Sequence, residues 1–185
     1  HQIVKNVNTP KTSSAGRIFD AVSSILGLCD VITYEGEAAI LLENNSIKSD
    51  KCYNYDVLEN NGVAIIDTRA LIKDIVNDII LGSDLSHIAS AFHNTMAAII
   101  LEMCQKIRCI RKTKKAGRYD FLDCSPCVPV ALSGGVFQNR LLLDLAIEKL
   151  ERDDFRVYIH SKVPSNDGGI SLGQATIALA KCLKD

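Results

Sequence analysis

The sequence predicts an α/β domain, and three observations carry that expectation. The final third alternates apolar strand, helix, strand and helix. Each of those strands is followed by a glycine pair, Gly134-Gly135 and Gly168-Gly169, the pattern of parallel strands with ligand contacts beyond their C-terminal ends. Ahead of them lies a long apolar stripe at helical spacing. A chain of 185 residues is enough for a single domain spanning 1–185.

Taken in order, Ala15 to Leu28 reads as an amphipathic helix. Ile18, Val22 and Ile25, with Phe19 and Leu26, recur at its spacing, and Ser13 or Ser14 can cap its entry. Tyr34 to Leu42 is a shorter helix, with Glu35 and Glu37 in the first turn, where carboxylates suit the helix dipole. Val57-Leu58, Asn60-Asn61-Gly62 and Val63 to Ile66 form a hairpin signal, because Asn-Gly supplies the positive φ angles of a tight turn. Leu71 to Leu81 follows as a helix with Ile72, Ile75, Val76 and Ile79 on one side.

The longest helix starts near Ser83-Asp84. Leu85, Ile88, Phe92, Met96, Ile99, Met103 and Ile107 are spaced by threes and fours, so they are expected to form one continuous buried stripe. The last third then reads as a strand over Val128 to Leu132 and a helix over Val136 to Glu151. A second strand covers Phe155 to Ile159, and a final helix Gly168 to Leu183.

Composition narrows the function classes. The chain is 47% hydrophobic with a formal net charge of −1, and nothing in that balance points to a nucleic-acid or membrane partner. Seven basic residues and no acidic one lie between Lys106 and Arg118. They read as a helix C-terminus running into a solvated loop, since no aromatic interleaves before Tyr119. No apolar run approaches the roughly 20 residues that cross a bilayer, and no signal-peptide pattern opens the chain. Seven cysteines, an odd number spread along the chain, fit reduced cytoplasmic thiols better than a disulfide-stapled domain. The first residue is His1 rather than Met, which fits a removed tag or a longer polypeptide.

Two loops are candidates for chemistry. From Val130 to Asn139 a strand ends in Gly134-Gly135 and a helix starts at once. Glycine lets a ligand approach the backbone, and the first helical N–H groups form an electropositive cradle. Asn139, one turn into that helix, is placed to reach back to a ribose or phosphate. The other reading is a tight turn that uses glycine for geometry alone. In Asn166-Asp167-Gly168-Gly169, Asp167 either caps the last helix, worth roughly 1 kcal/mol, or points its carboxylate into a cleft. There it would bind a metal with ligands from elsewhere, because the chain holds no HxxxH pair.

The remaining titratable groups read as structural. His93 is expected to be a hydrogen-bonded boundary residue, and His87 and His160 surface residues. Cys124 and Cys127 form a lone CxxC, half a zinc site, and read as incidental loop thiols. Cys104 and Cys109 belong to the end of the long helix.

Four strings combine into a resemblance: Ser13 to Val22, Tyr34 to Ala39, Leu132-Ser133-Gly134-Gly135-Val136-Phe137-Gln138-Asn139-Arg140, and Pro164 to Gln174. Together they closely resemble the C-terminal region of the HypF family, carbamoyltransferases that mature nickel–iron hydrogenases. Ala91-Phe92-His93-Asn94-Thr95 is similar too, so the resemblance spans nearly the whole chain in order. More distantly, the pattern is similar to the TsaD proteins of tRNA threonylcarbamoyladenosine synthesis.

That resemblance implies the C-terminal lobe of a TsaD-like module, in the two-lobed actin/Hsp70/sugar-kinase (ribonuclease H-like) ATPase fold with additional helices. It implies that Gly16 and Asp20 bind the nucleotide, Asp20 accepting from the ribose. Gly134 and Gly135 would contact adenosine, and Asn139 would touch nucleotide or substrate. Asp167 would complete a divalent metal site, Fe or Zn, with histidines of the preceding lobe. The chain departs from the family pattern, since the HxxxH ligands, the zinc-finger, acylphosphatase and YrdC-like parts do not appear in it. One lobe of a two-lobed site is therefore expected, inactive alone and holding metal weakly or not at all.

The reaction implied for the whole protein runs in stages. Carbamoyl phosphate and ATP give a carbamoyl adenylate, and the carbamoyl group passes to the C-terminal cysteine thiolate of HypE. No nucleophile is needed from this lobe, which fits the absence of a Ser/His/Asp or Cys/His pattern. Within the same fold the alternative is an O-carbamoyl or threonylcarbamoyl transferase lobe, against which Phe137-Gln138 and the Asp-Gly-Gly loop argue. From another class, the alternative is a catalytically silent nucleotide-binding or partner-docking domain. The face turned to the missing lobe is expected to be partly apolar, able to pair with a second copy as a homodimer.

Overall fold

The computed structural model describes residues 2–10, 12–113 and 128–182. The elements run α1 (Gln2–Lys5), α2 (Ala15–Ile25), α3 (Glu37–Asn44), β1 (Asp56–Asn60), β2 (Val63–Asp67), α4 (Arg69–Ile80), α5 (Leu85–Thr113), β3 (Val128–Leu132), α6 (Arg140–Arg152), β4 (Phe155–Ile159) and α7 (Ile170–Cys182). Short 3₁₀ turns at Gly135–Gln138 and Asp167–Gly169 precede α6 and α7. The expected α/β architecture is the one observed. The Cys124–Cys127 motif and the end of the basic run lie outside the described residues.

Helix α5 organises everything else. From Ile88 to Thr95 every residue is buried, so here the helix is enclosed on all sides rather than along a stripe. The expected continuous stripe holds only in its middle, because Leu85 and Ile107 at its two ends are exposed. On one flank Phe19, Val22, Leu42, Leu71 and Ile75 pack against Ile88 and Phe92. Phe19 and Phe92 meet edge to face at 4.8 Å between ring centroids. On the other flank Leu132, Ala146, Leu150 and Phe155 form a second cluster, reached by Ile100 and Cys104. Each fully buried Leu, Ile or Phe contributes about 1.5–3 kcal/mol relative to exposure.

The buried polar residues of α5 serve the irregular chain beside it. Ser90 Oγ accepts from Ile47 N at 2.7 Å, and Thr95 Oγ1 from Tyr53 N at 2.8 Å. Asn94 Nδ2 donates to the carbonyls of Ser49 and Lys51. These bonds satisfy backbone groups that no ladder reaches, and they pin residues 46–53 across the helix.

Local chemistry explains where the short elements begin and end. Helix α2 stops three residues before Leu28, closed by Gly27 N to Ser24 O and Leu28 N to Ser23 O, both 2.9 Å. Ser14 sits at its N-cap position, yet its side chain makes no capping bond. Helix α3 starts at Glu37 rather than Tyr34, because Gly36 is left-handed (φ 84°) and cannot continue a right-handed helix. Glu35 therefore lies outside the first turn. The Thr33 backbone N–H and hydroxyl bond the Glu37 carboxylate and hold it below the usual carboxylate range.

The Asn61-Gly62 turn has positive φ at both residues, 51° and 77°, and joins β1 and β2 antiparallel with Asn60 opposite Val63. Strands β3 and β4 pair in parallel, Val128 opposite Phe155 and Leu132 opposite Ile159. Helix α6 covers one face of that pair. Helix α7 buries no residue, and Ile170, Leu172, Ile177 and Leu179 are all more than half exposed. Among the described residues no helix is long and apolar enough to cross a membrane.

Candidate functional site

The two glycine loops meet at the C-terminal ends of the parallel strands, where Gly134 N donates to Ser165 O at 2.8 Å. Beside that bond opens a cleft of about 600 Å³. Its walls come from the start of α2, the entry of α3, the 3₁₀ turn at Gly135–Gln138 and residues 166–167. Of the residues expected from sequence, Gly16, Asp20, Gly135, Asn139 and Asp167 all line it. Gly134 is not among the lining residues; it shapes the strand exit behind them, with φ 110° and ψ 157°, a conformation open to glycine alone.

Asp20 lies one turn into α2, facing the cleft. Arg17 Nη2 stands 2.9 Å from its Oδ2, close enough for an ion pair. The approach is off the N–H direction, however, and Oδ2 is a buried oxygen that accepts no hydrogen bond. Buried polar atoms normally find a partner, so this oxygen is one short. Gly16 has an ordinary φ, and an added Cβ would meet only Ser14 Oγ at 3.6 Å. Nothing among the described residues requires glycine there, and its bare Cα leaves that wall open.

Asn139 is not one turn into a helix. The 3₁₀ turn at Gly135–Gln138 comes first, and Asn139 is the N-cap of α6, its Oδ1 accepting from Leu142 N at 2.8 Å. Its Nδ2 lies 2.9 Å from His93 Nε2. Both polar ends of the side chain are thus engaged inside the protein, and the residue is only 7% exposed. Glu43 adds a second bond at the same helix start, its Oε1 accepting from Leu141 N at 2.9 Å.

Asp167 is likewise not the cap. Asn166 takes that role, its Oδ1 accepting from Gly168 N at 3.1 Å. The exposed Asp167 carboxylate has no hydrogen-bond or ion-pair partner among the described residues. It is a free ligand, but a single one. Among the described residues no three His, Cys, Asp or Glu side chains gather at metal-binding distance.

Sequence reasoning missed His93, expected at a boundary and found fully buried. His87 and His160 are exposed as expected, with His160 Nε2 2.9 Å from Ser133 Oγ at the strand exit. No local pattern marks His93, since its burial comes from elements packing on every side of α5.

Comparison with known proteins gives the family of this fold. The family described as "Carbamoyltransferase, Kae1-like Domain, second subdomain" matches residues 1–174. The carbamoyltransferase HypF of Synechocystis sp. is 33% identical over 175 residues, covering 94% of this chain and 20% of that protein. The HypF of Rhodobacter capsulatus is also 33% identical, covering 96% and 21%. The chain thus spans about a fifth of the length of these curated relatives. A crystal structure of full-length HypF in a phosphate- and nucleotide-bound form superposes with a TM-score of 0.83 at 40% identity, covering 96% of this chain and 22% of that one. The chain belongs to the HypF carbamoyltransferase family, and it corresponds to the second subdomain of that family's Kae1-like domain.

Proposed function

We propose that the cleft receives the adenosine end of a nucleotide, and that this subdomain forms one wall of a carbamoyltransferase site. The observation that carries the reading is the Asp20 carboxylate, which lines the cleft, stays a quarter exposed and has the Arg17 guanidinium 2.9 Å away as its charged neighbour. A ribose hydroxyl would donate to the exposed part of that carboxylate. Gly16 and Gly135 let the ligand come close to the backbone, Gly134 sets the strand exit, and Asn139 holds the turn between them. The nucleotide named for the solved HypF relative supports the same assignment.

The two-lobed actin/Hsp70/sugar-kinase plan fits this arrangement, with the chain as its C-terminal lobe and residues 1–185 as one domain. In that plan Asp167 would give one carboxylate to a divalent metal, and a metal held there with further ligands would polarise a phosphate or carbonyl oxygen. The residues here position rather than attack. The whole protein would use ATP and carbamoyl phosphate to carbamoylate the C-terminal cysteine of a HypE-like acceptor in the cytoplasm, the acceptor supplying the thiolate. The bare apolar face of α7 supports a covering element from the rest of such a protein, with a second copy of the chain as the alternative.

Calorimetric titration with AMP tests the cleft. Wild type is expected to bind saturably, and Asp20→Ala to bind about tenfold more weakly, as loss of a hydrogen bond to a charged group predicts. No saturable binding by wild type would sink a nucleotide role for this chain alone.

A further inference from the structure

His93 occupies the enclosed middle of α5 with no exposed surface. Its ring stands edge-on to Phe19 and Phe92, at 5.4 and 5.8 Å between centroids. An imidazole in such surroundings needs both nitrogens paired. Nδ1 lies 2.8 Å from Ala89 O, which only accepts. It also lies 3.2 Å from Ser46 Oγ, whose own proton goes to Leu42 O at 3.0 Å. The hydrogen is therefore on Nδ1. On the far side, Asn139 Oδ1 accepts from Leu142 N, which turns the Asn139 NH₂ toward His93 Nε2 at 2.9 Å. Nε2 must then be the acceptor, and the ring is neutral. One assignment satisfies every partner.

The position of this ring links it to the cleft from behind. Asn139 closes the 3₁₀ turn whose Gly135, Val136 and Gln138 line the cleft, and Phe19 lines it as well. His93 touches both Asn139 and Phe19 without reaching the cleft itself. An apolar residue of similar size would fill the space but leave the Asn139 NH₂ buried and unpaired.

We propose that His93 is the positioning residue of the cleft, holding Asn139, and through it the Gly135–Asn139 turn, in the place a ligand requires. The assignment rests on the nucleotide reading above for its purpose, but not for its geometry. Burial keeps the imidazole below its ordinary value of 6.5, against the opposing pulls of the Ala89 carbonyl and the Glu43 carboxylate on α3.

Two measurements on the full chain test this. In ¹⁵N-histidine NMR, His93 is expected to show the neutral Nδ1–H pattern unchanged from pH 8 to pH 6. An Nε2–H tautomer or an imidazolium signal in that range overturns the proposal. In AMP titrations, His93→Gln, whose amide oxygen restores the acceptor, is expected to stay within about threefold of wild type, and His93→Leu to lose about tenfold at unchanged helix content. Equal affinity of the folded leucine variant and wild type overturns it, as does a tenfold loss in the glutamine variant, which remains informative if the leucine variant does not fold. Wild type without AMP affinity but with the Nδ1–H pattern would overturn the nucleotide reading while supporting the His93–Asn139 bond.

Discussion

At Gly134 the backbone runs at φ 110°, and nothing stands within 4 Å of where a Cβ would be placed; at Gly169 the φ is ordinary, but a Cβ would lie 3.0 Å from the Pro164 carbonyl oxygen. The first glycine is required by conformation and the second by lack of room. Gly135, between them in the cleft wall, meets neither condition: its nearest neighbour would be Asn166 Cβ at 3.9 Å, an ordinary contact. Identical dipeptides at the ends of two parallel strands thus rest on different physics. A glycine in the cleft wall that neither conformation nor packing demands is free to serve the ligand proposed above.

Substitution by alanine separates the three cases, and the largest effect belongs to Gly134. A side chain there forces the strand exit out of its conformation, at about 1–3 kcal/mol, and disturbs the Gly134 N to Ser165 O bond between the loops. Thermal unfolding of Gly134→Ala is expected to show the lowest midpoint of the three, and an unchanged midpoint would break the comparison. Gly169→Ala requires the Pro164 carbonyl to shift by a few tenths of an ångström, for a loss of about 1 kcal/mol, at the low end of overpacking costs. Denaturant titration reads it as a shifted midpoint at constant slope. Gly135→Ala is expected to change stability least and in the opposite sense, gaining up to about 0.4–1 kcal/mol from a less flexible unfolded chain. The same variant places a methyl on the cleft wall, 3.9 Å from Asn166 Cβ, so AMP affinity should fall while stability does not. A Gly135→Ala protein that bound AMP as tightly as wild type would remove the ligand from that wall.

Much of the fold was legible because its signals are local. The strand–helix–strand–helix pattern, the Asn-Gly hairpin and the helical period of α5 each depend on neighbours in sequence, and each is present, although the α5 stripe is buried only in its middle and α6 starts four residues late. The site was legible as a set of residues and less so as geometry. Val136-Phe137-Gln138 reads as the first turn of a helix, and nothing in those letters reveals that a 3₁₀ turn intervenes and makes Asn139 the cap. Asn166 and Asp167 are both good capping residues in adjacent positions, so sequence alone does not say which one caps and which is left free. His93 was expected to be hydrogen-bonded and is, but its full burial was out of reach, because its partners Ser46 and Asn139 lie more than forty residues away in either direction.

Helix α7 carries its apolar side chains in the open, and that exposure has a cellular consequence. Chaperones and proteases recognise uncovered hydrophobic surface, and proteins that display it are held or degraded. With α7 bare, this chain would be a client of that machinery; with α7 covered, it would escape.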